Sequence, residues 1–547
     1  MSRFDNHQVQ FAVFATVFGL VTIIGFAAAR WRRPVTIHTL EEWGLGGRAF
    51  GNWVTWFLLG GDIYTAYTLV ALPAVIYAVG AAGFFAVPFA AITYPLVYVV
   101  VIRLWSVSHV HGFVTPAEFV QARFGSRGLA LGVALAGIAA TMPYVALQLI
   151  GIEAVLKTMG LPGSWPLMFA FTVLAAYTFN SGLRAPALIS IVKDVLLLWT
   201  VLAALLSVAM MAGGWHTVFH FAGAKFDRTP SPADGLVLPA AGQLNYLTLV
   251  IGSALALFLY PHTITGVLAA RNRATLKRNM AALPVYTMML ASIALLGFAA
   301  IAHGVKPVGG DGNTVVVALF DVTMPAWCAG IAFAAIGVGA LVPAAIMSIA
   351  AANLFTRSVY REFIRPHASA EEETRVSRIA SLAIKLGAVA VIVFLSPQFS
   401  LDLQLIGGVV VLQTLPAVAL GLYTRWMHRW ALLAGLASGL LTGLVLLFQI
   451  PQIGPNGVVV REHFGSSAWP LSHLGWHTNQ TVYVGVIALA VNLTVTVIAT
   501  LVLRVVRVPD GLDLTEPQHY FVDEGDPELD RMTELLDGTD YRAAHSR

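Results

Sequence analysis

Two opposite charges stand side by side in a long apolar segment of this chain. Lys193 and Asp194 lie in the middle of Ile-Ser-Ile-Val-Lys-Asp-Val-Leu-Leu-Leu-Trp. A charge inside a membrane is costly unless it is paired or hydrated, so such residues often mark the path of an ion or a solute. The ammonium could take the place of a mobile cation. Alternatively, the pair could lie near the membrane surface and extend toward water, because Arg184 is only nine residues earlier.

A second polar interruption is the sequence Gly60-Gly61-Asp62, which stands in the middle of another apolar segment. Two glycines weaken a helix, and Pro73 removes a hydrogen-bond donor further along. We therefore predict a broken helix whose freed carbonyls can bind a cation and whose freed amides can bind an anion. The alternative is a glycine pair that only lets two helices pack closely. The polar residues that follow favour the break: Tyr64, Thr65, Tyr67 and Thr68.

Three further polar residues are candidates for solute or proton binding. Tyr144 and Gln148 are one helical turn apart, so both could face one cavity or form hydrogen bonds between helices. His262 follows a proline in Leu-Tyr-Pro-His-Thr, where a kink is expected. Histidine changes its charge near neutral pH and could relay a proton, although it could equally be a packing residue.

The composition places these residues in a membrane. Apolar residues make up 58% of the 547 positions, and they occur in runs of about 20, the helix length that crosses about 30 Å of hydrocarbon. The runs lack the alternation of barrel strands, so we predict an all-α integral membrane protein. About thirteen spans are expected, near residues 8–29, 53–79, 81–102, 128–156, 165–183, 186–212, 245–269, 280–303, 326–355, 379–397, 403–424, 430–449 and 479–505.

The distribution of basic residues predicts the orientation. Alternate loops carry the arginine clusters around positions 30–48, 103–127, 271–278 and 357–378, whereas the opposite loops hold scattered basic residues. By the positive-inside rule the N-terminus is outside and the C-terminus cytoplasmic. The net charge of +4 therefore reflects membrane orientation and gives no reason to expect nucleic acid as a partner. We expect residues 1–507 to form the transmembrane domain and residues 508–547 to be an acidic, mobile cytoplasmic tail.

Several short motifs carry a family resemblance. Gly46-Gly47-Arg48-Ala49-Phe50-Gly51, Leu72-Pro73, Thr115-Pro116-Ala117-Glu118-Phe119 with Arg123-Phe124-Gly125, and Leu268-Ala269-Ala270-Arg271 follow in order. In order and spacing they resemble the sodium:solute symporter family over about residues 5–505. The resemblance implies the leucine-transporter-type fold, with two inverted five-helix repeats whose first helices are broken. Here the repeats would cover about residues 53–212 and 245–424.

The resemblance also implies a sodium site, which is degenerate in this chain. Its ligands would be the carbonyls of Gly61, Tyr64 and Ala345 and the hydroxyl of Ser348. Where the family has a second hydroxyl, this chain has Ile349, whose alkyl group offers a cation no lone pair.

The lost oxygen suggests another source of positive charge. We predict that Lys193, paired with Asp194, replaces the sodium ion, and that its protonation and release couple the cycle to protons. The alternative is that sodium is retained through a rearranged shell. No other cofactor is expected.

The substrate follows from the resemblance of Tyr260-Pro261-His262 to the monocarboxylate-permease branch of the family. We predict import of a small monocarboxylate such as pyruvate, lactate, propionate or acetate across a bacterial plasma membrane. Thr65, Thr68, Tyr144 and Gln148 are the candidate substrate residues. A sodium-coupled symporter of another small solute, such as an amino acid, and a membrane sensor are the alternatives. The sequence has no phosphate-binding loop and no metal-ligand spacing, so an enzyme is not expected.

Overall fold

The computed structural model describes residues 3–28, 39–161, 172, 175–176, 178–179, 181–211, 213–228, 234–395, 400–453, 458–475 and 477–527. Helices dominate these ranges. In chain order they are α1 Arg3–Ala28, α2 Leu40–Leu45, α3 Asn52–Gly61, α4 Leu72–Val79, α5 Ala86–His111, α6 Pro116–Phe124, α7 Arg127–Thr158, α8 Arg184–Met211, α9 Trp215–Arg228, α10 Ala240–Leu257, α11 Pro261–Leu268, α12 Arg273–Ala282, α13 Pro284–Ala302, α14 Val315–Thr323, α15 Ala326–Phe355, α16 Ala370–Leu395, α17 Leu401–Leu412, α18 Leu415–Val418, α19 Arg429–Phe448 and α20 Val484–Val505.

In the described part of the connection between α19 and α20 there are four short strands. They form two antiparallel pairs: β1 Gln452–Ile453 with β2 Val459–Arg461, and β3 Ala468–Pro470 with β4 Thr481–Tyr483. The other elements of regular secondary structure in the described ranges are helices, as the composition predicts.

Within the described ranges, nine helices are long and apolar enough to cross a membrane. A tenth span is possible if Leu401–Leu412 and Leu415–Leu422, which are bent by 51°, count as one. The predicted number of about thirteen is therefore not confirmed. One reason is that the predicted second span is divided into short helices, and the predicted fifth span, 165–183, lies mostly outside the described residues.

The predicted break in the second span is present. Helix α3 ends at Gly61, residues 62–65 are not helical, and one turn of π-helix, Tyr67–Ala71, leads into α4. A similar break separates α10 from α11, which begins at Pro261. The two breaks lie side by side, because the Thr263 hydroxyl donates a hydrogen bond of 3.2 Å to Asp62. Two interrupted helices thus bring free backbone groups to one place inside the protein.

The centre of the protein is helix α15, almost all of which is buried. It packs against α1, α7, α8 and α16. Its sequence is rich in alanine and glycine, and small residues allow helices to approach closely in a membrane. The residues that are candidates for the sodium site on this helix are therefore surrounded by protein.

Arginine side chains gather on one face, which we call the basic face. Arg48, Arg123, Arg271, Arg357 and Arg425 mark it, and their partners are loop carbonyls and acidic groups of the same face. Helix α7 crosses from this face to the opposite one, where Lys157 pairs with Asp311. The start of α1 lies on that opposite face, because Gln10 donates to Asp321 before α15 begins.

The C-terminal tail packs onto the basic face. The Val522 carbonyl accepts a hydrogen bond from the Ser106 hydroxyl near the end of α5, and the Leu514 amide donates to the Ala122 carbonyl of α6. The prediction of a mobile tail is therefore wrong for residues 508–527, since backbone and side-chain groups at several positions of this segment are bound to the helices. Residues 528–547 lie outside the described ranges.

Candidate cation and solute site

The Lys193 ammonium occupies the break in the second span. It donates hydrogen bonds to the carbonyls of Gly61 and Tyr64, the second at 2.9 Å, and lies 3.0 Å from Asp194 Oδ1. The side chain has no exposed surface. Arg184, at the start of the same helix, does not belong to this cluster: its Nη2 lies 2.6 Å from Glu42 Oε2. Lys193 lies about 13 Å further along the helix, given a rise of about 1.5 Å per residue. The interpretation in which Lys193 extends toward water is therefore wrong.

Asp194 joins three helices at this point. Its Oδ2 accepts a hydrogen bond of 2.9 Å from the Tyr286 hydroxyl of α13, and Tyr64 donates from its hydroxyl to the Tyr286 carbonyl. Gly61 completes the arrangement, because a side-chain carbon there would lie 2.8 Å from the Lys193 nitrogen. The break, the lysine and the carboxylate therefore fit together only if glycine stands at position 61.

The other candidate ligands of the predicted sodium site lie on α15. The Ser348 hydroxyl donates to the Ala345 carbonyl one turn earlier, at 2.8 Å, and both residues are fully buried. Ile349 beside them is also fully buried and apolar. Of the five residues of the predicted sodium site, the structure brings the carbonyls of Gly61 and Tyr64 together around an ammonium group. In this arrangement a sodium ion on those two carbonyls would collide with the ammonium group.

A second polar pair connects the two helix breaks. Asp62 Oδ2 lies 3.4 Å from His262 Nε2, and both side chains are buried. The His262 ring packs against the rings of Tyr144 and Tyr260, with centroid distances of 5.4 and 5.2 Å. Among the residues described, Asp62 Oδ1 and His262 Nδ1 have no hydrogen-bond partner. Sequence reasoning proposed His262 but missed its carboxylate, which is 200 positions away in the chain.

The candidate solute residues surround the non-helical segment. Gln148 Oε1 accepts a hydrogen bond of 3.1 Å from the Ala66 amide, and Thr65 Oγ1 accepts one of 3.0 Å from the Tyr67 amide. The Thr68 hydroxyl donates a hydrogen bond of 3.0 Å to the Thr65 carbonyl and accepts one of 3.2 Å from the Thr65 amide. The threonines therefore stabilise the break itself, a role that the sequence did not suggest.

Two buried hydrogen-bond donors also lie in this region. In the part of the chain that the structure describes, Gln148 Nε2 and the Tyr67 hydroxyl are buried without a hydrogen-bond partner. Buried polar groups without partners are uncommon and often mark a place where a ligand or water binds. Both are donors that a carboxylate could accept. In the sequence Tyr67 counted among the polar residues that favour the break, but it was not among the predicted solute residues.

The fold and this arrangement define a class of membrane transporter. Residues 43–439 match the sodium:solute symporter family, and the chain belongs to this family. It is therefore a multi-pass membrane protein of a symporter family.

Two relatives extend over most of the chain. The chain is 46% identical to a monocarboxylate transport permease protein of Rhizobium johnstonii, over 91% of this chain and 98% of the relative. It is 32% identical to the uncharacterized symporter YodF of Bacillus subtilis, over 80% and 88% of the two chains.

A solved structure shows the same fold. A sodium-coupled sialic acid symporter in a substrate-bound, outward-open state superposes with a TM-score of 0.71, covering 92% of this chain and 98% of that one. The identity between the two is 16%, so the likeness concerns the fold alone.

Proposed function

We propose that this protein is a secondary active symporter that imports small monocarboxylates without sodium, driven by protons. The observation that carries the proposal is the Lys193 ammonium on the carbonyls of Gly61 and Tyr64. The chain itself thus provides a positive charge where the family resemblance places the sodium ligands of this break. We further propose that the protein lies in a bacterial plasma membrane with its basic face toward the cytoplasm, as the positive-inside rule favours.

The proposed substrate rests on the chemistry of the solute region and on the relative described as a monocarboxylate permease. A short carboxylate needs a few donors for its oxygens and an apolar surface for its stem. Gln148 Nε2 and the Tyr67 hydroxyl are such donors. Tyr144 lies one turn before Gln148 on α7, and its ring packs against the Tyr260 ring with a centroid distance of 5.3 Å. A sugar has several hydroxyls, each of which would need a paired polar group once it left water.

The proposed coupling to protons follows from the cluster that Lys193 forms with Asp194 and the two carbonyls of the break. In the proposed cycle, the ammonium gives up its proton when the carbonyls of the break and Asp194 move away from it, and it is protonated again on the other side. The Asp62 and His262 pair is the second place where a proton could be held, because histidine titrates near neutral pH. Pyruvate would thus enter together with a proton and without sodium.

The test is uptake of labelled pyruvate into proteoliposomes, with sodium replaced by choline, at several external pH values. We expect accumulation that is as high in choline as in sodium and that increases as the outside becomes more acidic. The variant Lys193→Ala should lose this accumulation. Strict dependence on sodium together with an active Lys193→Ala variant would contradict the proposed coupling.

Competition separates the alternatives. Excess unlabelled lactate or propionate should reduce pyruvate uptake, and excess proline should not. Uptake of proline in place of pyruvate would favour an amino-acid symporter. A protein that binds pyruvate but never accumulates it against a gradient would favour a sensor.

A further inference from the structure

The first part of the acidic tail forms a continuous contact across the basic face. Its near end is bound to α6 and to the loop before α19. Leu514 donates a backbone hydrogen bond of 2.9 Å to the Ala122 carbonyl, and Asp513 pairs with Arg123 and, at 3.4 Å, with Arg425. Arg123 also donates to the carbonyl of Thr424. These contacts fix the tail to elements that pack on α7.

The far end of the tail reaches different helices. Ser106 of α5 donates a hydrogen bond of 2.8 Å to the Val522 carbonyl. Asp523 accepts one of 3.0 Å from the Arg273 amide at the start of α12. Glu524 accepts hydrogen bonds of 2.7 Å from Arg271 and Asn272, in the loop that follows the broken helix α11.

The middle of the tail is buried between these two ends. Tyr520 is 5% exposed and Val522 is 3% exposed. The Thr515 and Tyr520 hydroxyls are hydrogen-bonded at 2.7 Å, and the Tyr520 ring meets the Phe119 ring edge to face. Buried aromatic and aliphatic groups contribute more to such a contact than exposed charges do. The tail is therefore a packed part of the protein on this face.

The two ends belong to parts that must move against each other if the protein transports by rocking. The loop after α11 is hydrogen-bonded to the start of α3, because Arg271 donates to the Phe50 carbonyl at 3.0 Å and Phe50 to Ala269 at 3.2 Å. Helices α3, α5, α11 and α12 pack together, whereas α7, α15, α16 and α17 form a second group. In transporters of this kind, one group rocks against the other around the central site.

We propose that residues 511–524 form an autoinhibitory strap, which connects the two groups across the basic face and slows their relative movement. The proposal rests on the transport function proposed above. Of its contacts, the pair of Glu524 and Arg271 is the most exposed, at 39% and 62% of the side chains. Exposed pairs are weak and screened by salt. The strap therefore opens first at Asp523 and Glu524, while its buried part stays attached.

The first test compares two tail variants in pyruvate uptake by proteoliposomes. Asp523→Ala/Glu524→Ala removes the far contacts. Asp510→Asn is the control, because Asp510 lies 3.6 Å from Arg504 and 3.7 Å from His428, on α20 and beside α19. We expect the initial rate to increase about fivefold in the double variant, the lower range of usual coupling between sites, and to stay unchanged in the control. In a protein that takes up pyruvate, an unchanged or lower rate in the double variant overturns the strap.

The second test does not depend on the substrate. Ser106 is fully buried beneath the tail, so Ser106→Cys, with the native cysteine removed as Cys328→Ser, should react slowly with a maleimide. We expect faster labelling when Asp523→Ala/Glu524→Ala is added, and no change with Asp510→Asn. Equal labelling in all three overturns the strap. Faster labelling in a protein that never takes up pyruvate supports the strap and refutes the proposed substrate.

Discussion

Lys193 is tolerated inside the membrane because three oxygen atoms surround its ammonium group. Two are carbonyls of the broken helix, and the third belongs to the neighbouring Asp194. A buried pair of this kind adds little stability compared with apolar residues, but removing one partner leaves the other charge without compensation. The cluster should therefore respond very differently to the loss of one charge and the loss of both.

We expect Lys193→Met to lower the free energy of unfolding by about 3 kcal/mol or more, because Asp194 and two carbonyls lose their partner. Adding Asp194→Asn should restore part of that loss. Thermal unfolding in detergent measures both effects.

A matched control is Lys385→Met on α16. Lys385 is also fully buried, but its contacts in the described structure are Ser381 atoms at 3.4 Å, with no carboxylate within ion-pair distance. That variant should be as stable as the parent or more so. The explanation is wrong if Lys193→Met unfolds like the parent, or if both lysine variants lose the same stability.

At the scale of the element, the break in the second span depends on a glycine that has no room for a side chain. We expect Gly61→Leu to abolish pyruvate uptake while insertion into the membrane is retained, because its first carbon would already lie 2.8 Å from the Lys193 nitrogen. Uptake and the amount of protein in purified membranes are the measurements.

Gly51→Leu is the control for this variant. Gly51 lies at the other end of α3, and a side-chain carbon there would have open space around it. It should transport normally. Normal transport by Gly61→Leu would mean that the site is not at this break.

The sequence was sufficient for the elements that depend on local rules. A glycine pair and a proline predicted the break in the second span, and the apolar runs predicted a helical membrane protein. The sequence left two interpretations of Lys193 open, contact with the break or extension toward water. The sequence of one helix does not show which other segment its side chains will contact. Tyr286 and Asp62 were missed as partners, since they are distant in sequence from Asp194 and His262.

The contact between the tail and the basic face could not be predicted from the sequence. Its composition is polar and acidic, which usually indicates disorder. Composition does not reveal that the basic face offers arginines and backbone donors at matching positions. Predicting the contact would require the positions of α5, α6 and α12 relative to one another, and these follow only from the packing of the whole chain.

At the scale of the whole molecule, the lysine changes how stability depends on salt. A protein that binds sodium only when folded is stabilised as sodium is added. Here the positive group is part of the chain, so we expect the same melting temperature in sodium chloride and in choline chloride.

The variant Lys193→Ala should behave differently, because it leaves the carbonyls and Asp194 free to bind an ion. We expect sodium to raise its melting temperature relative to choline. Stabilisation of the parent protein by sodium at low millimolar concentration would contradict the replacement of the ion by Lys193.

The attachment of the ammonium to the chain has an electrical consequence. A sodium ion that crossed in addition to the proton would give the transported unit a net charge of one, to which the membrane potential would contribute about 2.3 kcal/mol per 100 mV. The lysine finishes each cycle on the side where it started and carries no current. A carboxylate that crosses with one proton is neutral as a unit, so the proposed carrier is electroneutral: the pH difference drives it, and the voltage does not.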